Sequence, residues 1–173
     1  LIAYSPSGQI DLLSGCPPCQ GFSSLTARHK KPDPRNELVL EMSRLVEEIQ
    51  PRIVMMENVP GLPRKGAEFF EQLLQKLESL GYVSTWDVLQ VADYGVPQSR
   101  QRLVLLAGKG FPVYLPKPTH SKTGKDGLKP WRTLRDSIGT MPEPFVLADT
   151  QTSGGPQQYN WHVVRSLSPN TLR

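Results

Sequence analysis

Leu38, Met42, Leu45, Val46 and Ile49 recur at three- and four-residue spacing. The stripe predicts an amphipathic helix that starts at a candidate N-cap, Asn36, and runs to about Gln50, where Pro51 ends it. A second stripe, Phe69, Phe70, Leu73, Leu74, Leu77 and Leu80, predicts a helix over 67–80 closed by Gly81. Short apolar runs flank these helices. Residues 9–14 and 52–56 read as buried strands, 83–91 alternates loosely as a strand does, and 102–107 reads as another buried strand. The order strand, helix, strand, helix, strand, strand predicts half of an open α/β sheet. Ligands in such sheets gather outside the carboxyl ends of the strands. Cys19 and Glu57 both follow such an end, so one cleft can hold both.

Past Gly110 the pattern weakens. Short helices are predicted over Trp131–Ile138 and His162–Leu167, joined by connecting segments. Eight of the 17 prolines fall at or after Pro112, which puts a change of character near residue 110. Two segments are therefore expected, 1–110 and 111–173. Neither an internal repeat nor a low-complexity tract interrupts them.

The 173 residues allow one domain with a real core. A net charge of +4 is compatible with a polyanion partner but too mild to argue for one alone. No apolar run approaches the roughly 18 residues of a membrane span, and no signal peptide is visible. Two cysteines cannot build a disulfide framework, so a reducing, intracellular setting is expected, cytoplasm (nucleoid) or nucleus.

Three short motifs carry candidate chemistry. The first is Pro17-Pro18-Cys19-Gln20 with Phe22-Ser23, on a long loop at 15–35 whose middle, Arg28-His29-Lys30-Lys31, is basic. Two prolines stiffen the backbone just before Cys19. Only the thiolate of such a cysteine is a good nucleophile. The second motif is Glu57-Asn58-Val59 and the third is Gln98-Ser99-Arg100-Gln101-Arg102. Alternation sets Arg100 and Arg102 on one strand face, which suits a shared site or a solvated patch. Cys16 and Cys19 also form Cys-x-x-Cys. A zinc site would need two further ligands, and only His29, His120 and His162 are on offer, scattered along the chain. A thioredoxin-like redox pair leaves Glu57 and Arg102 unexplained. Cys16 is expected as a small packing residue, and no metal is expected. The lysines at 117, 122, 125 and 129 read as a solvated linker, with DNA contact the alternative.

In order and spacing, the three motifs resemble the DNA (cytosine-5)-methyltransferase family, closely over 9–110 and loosely over 111–173. The resemblance implies a partial Rossmann-like methyltransferase sheet with flanking helices, an α/β fold of three layers. It implies methyl transfer from S-adenosylmethionine to carbon 5 of cytosine in double-stranded DNA, on a base flipped out of the duplex. By the same resemblance Cys19 adds to ring carbon 6, and Glu57 holds or shares a proton at N3 and the exocyclic amine. That last role needs a carboxyl group whose affinity for its proton is raised by burial. Asn58 and Val59 would hold Glu57 in place, and Arg102 would hydrogen-bond O2. Pro18 and Leu38 would touch the cofactor; Gln20, Ser23, Ser24, Gln98 and Arg100 would meet the DNA. A related class with this signature methylates tRNA, and a catalytically silent binding partner is a further alternative.

The chain departs from the family pattern in two places. It has no Phe-x-Gly-x-Gly cofactor loop and no target-recognition region. A segment of a longer enzyme, or one working with a second chain, is therefore expected. Alone, strand 9–14 would present an unpaired apolar edge.

Overall fold

The computed structural model describes residues 8–18, 37–141, and the backbone of 145–146 and 163–164. Contacts divide the chain into two units, Leu1–Thr133 and Leu134–Arg173.

The first unit is built on four strands: β1 (Leu12–Gly15), β2 (Ile53–Asn58), β3 (Tyr82–Gln90) and β4 (Gln101–Lys109). Their order in the sheet is β1-β2-β4-β3. The β1–β2 pair is parallel and the other two are antiparallel. Helix α1 (Leu38–Ile49) makes the crossover from β1 to β2. A short α2 (Leu62–Lys65) and then α3 (Ala67–Ser79) lead to β3. Both long helices fall where their apolar stripes predict. Gln50 ends α1 in the left-handed region with φ 50°, and Gly81 follows α3 with φ 83°. The candidate cap Asn36 lies outside the described residues. α2 is not visible as periodicity, because Pro60, Gly61 and Pro63 crowd its start.

Strand alternation divides the sheet into two unlike faces. Val54, Met56 and Asn58 of β2 and Leu103, Leu105 and Ala107 of β4 are buried. All of these but Asn58 pack with Val39, Met42 and Val46 of α1 and Phe70, Leu73 and Leu77 of α3 in one core. Phe70 meets Trp86 of β3 edge to face, with ring centroids 4.9 Å apart. Ile53, Met55 and Glu57 alternate with the buried set, as do Arg102, Val104 and Leu106, and all six are only half-buried. Three layers are expected; among the described residues there are two, because α1 and α3 pack against the same face and against each other.

β1 is correspondingly less buried than its apolar sequence suggests. It lies at the sheet edge, where Leu13 packs on the core and Leu12 is 53% exposed. Its other edge carries no partner strand among the described residues.

After β3 the chain makes a 3-10 turn, Val91–Tyr94, and after β4 a strap that includes the bridges β5 (His120–Ser121) and β6 (Lys129–Pro130). The strap is tied to the 3-10 turn. Trp131 Nε1 donates to Asp93 Oδ1 at 2.7 Å, the Thr119 N–H donates to the Asp93 carbonyl at 2.9 Å, and the Tyr94 hydroxyl donates to the Pro116 carbonyl at 3.1 Å.

In the second unit, α4 (Leu134–Ile138) is shorter than the predicted Trp131–Ile138. β7 (Phe145–Val146) and β8 (Val163–Val164) pair in parallel. The helix predicted over His162–Leu167 is therefore corrected: its described residues are two β-branched valines in strand pairing, which such residues favour over helix. No helix among the described residues is long and apolar enough to cross a membrane.

Candidate active site

The register of the sheet brings the second and third motifs together. Glu57 of β2 stands opposite Val104 of β4. Arg102 lies two residues from Val104, so it shares a face with Glu57 as a diagonal neighbour, within reach of a long side chain. Arg102 Nε meets Glu57 Oε1 at 2.6 Å, and the side chains are 24% and 32% exposed. Arg102 also donates from Nη1 to the Gln101 carbonyl at 2.8 Å, which fixes the guanidinium plane. The pair lies on the face opposite the helices, at the carboxyl end of β2. The expectation of a Glu57 walled off from water is corrected here: its carboxylate is a third exposed and ion-paired with the arginine expected to act beside it.

The first motif is fastened to the same end. Asn58 is 2% exposed and alternates with Glu57, so its side chain turns toward the helix-covered face. Its Nδ2 donates to the Pro17 carbonyl at 3.1 Å, and its Oδ1 accepts the Val59 N–H at 2.8 Å. Asn58 is thus a bridge between β2 and the Pro-Pro turn, rather than only a support for Glu57. Cys16, at the start of that turn, is exposed. The packing role expected for it is corrected, because the strand edge it follows is open. Cys19, Gln20, Ser23 and Ser24 lie outside the described residues.

Pro18 is exposed just past β1. Leu38 opens α1 and is 40% exposed. An added Cβ on Gly15 would stand 2.7 Å from Met42 Sδ, so α1 crosses close over the end of β1. Leu38 is one helical turn before Met42.

Gln98 and Arg100 are exposed, outside the Glu57–Arg102 contact. The Arg100 backbone is held by Gln90, a residue that sequence reasoning passes over. Gln90 Oε1 accepts the Arg100 N–H at 2.7 Å and the Ala92 N–H at 3.5 Å, and its Nε2 donates to Ser99 Oγ at 3.4 Å. A lone glutamine at the end of a strand gives no sequence signal of such a clamp. No group of three or more His, Cys, Asp or Glu able to hold a metal ion occurs among the described residues.

Against this geometry, the family model for C-5 cytosine-specific DNA methylase matches residues 4–164. The chain belongs to that family. Type II methylase M.HgiDII of Herpetosiphon aurantiacus is 40% identical over 174 residues, covering 100% of this chain and 46% of the relative. Type II methyltransferase M.AquIA of Picosynechococcus sp. is 37% identical, over 78% of this chain and 61% of the relative. The chain therefore spans about half the length of these two relatives. Among solved structures, one described as a DNA modification methyltransferase encoded within a prophage (E. coli) is similar at a TM-score of 0.61 and 27% identity, covering 80% of this chain and 37% of that one.

Proposed function

We propose that this chain carries the base-activating half of a DNA (cytosine-5)-methyltransferase site. The observation that carries the reading is the Glu57–Arg102 pair at 2.6 Å, at the strand end whose neighbour Asn58 holds Pro17. N3 and O2 are adjacent atoms on one edge of cytosine. A carboxyl group and a guanidinium in contact match that edge: Glu57, protonated once the base has displaced water and the arginine from it, would donate to N3 and accept from the exocyclic amine, and Arg102 would donate to O2. Base entry replaces their mutual contact with contacts to the ring. Electron density withdrawn toward N3 and O2 makes carbon 6 electrophilic enough for the Cys19 thiolate. Addition forms the sulfur–carbon 6 bond and moves the ring electrons toward carbon 5, which becomes nucleophilic. Arg102, held by its bond to the Gln101 carbonyl, would donate to the oxygen on which negative charge grows. After methylation the carbon 5 proton would pass to water, its electron pair would re-form the ring double bond, and the Cys19 thiolate would be expelled.

The exposed, apolar Pro18 and Leu38, at the end of β1 and the start of α1, fit one wall of a site for S-adenosylmethionine. When bound, that cofactor supplies an electrophilic methyl group. Gln20, Ser23, Ser24, Gln98 and Arg100 would contact duplex DNA around the extruded nucleotide. The protein would then act inside the cell, where its thiol stays reduced.

The test is transfer of a labelled methyl group from S-adenosylmethionine to duplex DNA by the protein. Label should appear in 5-methylcytosine, and Glu57→Gln and Arg102→Met should each slow transfer by about a hundredfold or more, as loss of a charge-stabilising group does. Label on an exocyclic amine, or undiminished transfer by either variant, would contradict the reading.

A further inference from the structure

The strap over 111–133 carries Lys117, Lys122, Lys125, Lys129 and Arg132 against a single carboxylate, Asp126. That excess equals the net charge of the whole chain, +4. Elsewhere among the described residues four cations are ion-paired: Arg44 with Glu41 and Glu48, Arg52 with Asp11, Lys76 with Glu47, and Arg102 with Glu57. The four strap lysines are all exposed, and none makes an ion pair among the described residues.

The strap is also built to hold its shape. Its turns use left-handed backbone at Gly124, Asp126 and Gly127, with φ of 69°, 58° and 76°. The bridge from Ser121 to Pro130 and the Trp131 N–H to Ser121 carbonyl bond at 2.9 Å close it on itself. Its ties to Asp93 and Tyr94 fix it to the turn that directly follows Gln90. Gln90 stands opposite Gln101, so this is the end of the sheet that carries Arg102. A solvated linker needs none of these ties. Unneutralised lysines cost the fold little when solvated, but holding several on one closed turn suits a partner with closely spaced negative charge.

We propose that the strap is a docking surface for the sugar-phosphate backbone of duplex DNA, contacted without regard to sequence by Lys122, Lys125 and their neighbours Lys117 and Lys129. The proposal rests on the methyltransferase reading above, which puts the duplex at this end of the sheet. Phosphate contacts position a protein on the duplex and leave sequence choice to other groups.

The experiment is a salt series of binding to a fluorescent duplex, comparing the wild-type chain with Lys122→Gln/Lys125→Gln and with a charge-matched control, Lys76→Gln/Lys109→Gln, on α3 and at the far end of β4. Each lost phosphate contact lowers the slope of log affinity against log salt by about 0.9. The strap variant should lower it by about 1.8 more than the control does. An excess over the control smaller than about 0.9, one contact's share, overturns the proposal. Tighter wild-type binding to a duplex RNA of equal length overturns the choice of DNA. A Cys19 adduct with 5-fluorocytosine DNA that forms while both variants behave alike would sink the strap alone. Loss of both adduct formation and DNA binding in the wild type would sink the catalytic reading with it.

Discussion

Asn58→Asp changes one atom in the bridge between β2 and the Pro-Pro turn. Asn58 is 2% exposed, and both ends of its amide are used, at 3.1 Å to the Pro17 carbonyl and 2.8 Å from the Val59 N–H. The aspartate keeps an acceptor for Val59 but turns an oxygen toward an oxygen at Pro17. Losing the donor forfeits about 1 kcal/mol of net hydrogen bonding, and the unpaired buried groups add about 1–3 kcal/mol. A cost of roughly 2–4 kcal/mol near neutral pH follows. Protonation repairs the bridge, because the O–H can donate to Pro17. The folded variant therefore holds this proton more tightly than the unfolded chain, whose aspartate titrates near pH 3.9. The repaired stability is present below that value and is lost as pH rises through the raised folded value. Urea unfolding of wild type and variant, at acid and at neutral pH, measures the difference. It should shrink to under about 1 kcal/mol in acid. An equal penalty at both pH values would show that Asn58 does not donate to the turn.

Other expectations concern the frame around the site. The Tyr82 hydroxyl donates to the carbonyl of buried Pro51 at 2.6 Å, so Tyr82→Phe should cost about 1–2 kcal/mol in urea unfolding. Burial raises the proton affinity of the Tyr82 phenol, so the stability this group contributes should be present below about pH 10 and be lost as pH rises through the raised folded value, a loss that Tyr82→Phe lessens. A Cβ added to Gly108 would collide with the Phe111 carbonyl, which cannot swing away as a side chain can. Gly108→Ala should therefore destabilise by about 1–3 kcal/mol, and an unchanged melting temperature would refute that packing. Gln90→Ala frees the Arg100 N–H, two residues before Arg102, and should slow labelled methyl transfer while costing under about 1 kcal/mol in urea unfolding, because the clamp is exposed.

The two apolar stripes and the strand runs were legible because core burial repeats at the period of each element, and α1, α3, β2 and β4 follow them within a few residues. The pairing of Glu57 with Arg102 was legible only through the order of motifs along the chain. Proof of contact required the antiparallel register, which no local pattern encodes. Leu12 misleads in the other direction: its apolar neighbours read as buried, yet its strand lies at an edge with one described face unpacked. Val163 and Val164 misled for a related reason, since a short apolar run suits either period. The strap read as linker because its order comes from Trp131, Asp93 and Tyr94, residues far apart in the chain whose pairing is tertiary.

The central claim, that Glu57 and Arg102 activate a cytosine for attack by Cys19, is tested most directly by trapping. The protein, S-adenosylmethionine and a duplex carrying 5-fluorocytosine should yield a covalent protein–DNA adduct, with the modified peptide mapping to Cys19. Cys19→Ser should abolish the adduct, and Glu57→Gln or Arg102→Met should slow its formation by about a hundredfold. An adduct on Cys16, or one that forms as fast without Glu57 and Arg102, would contradict the account.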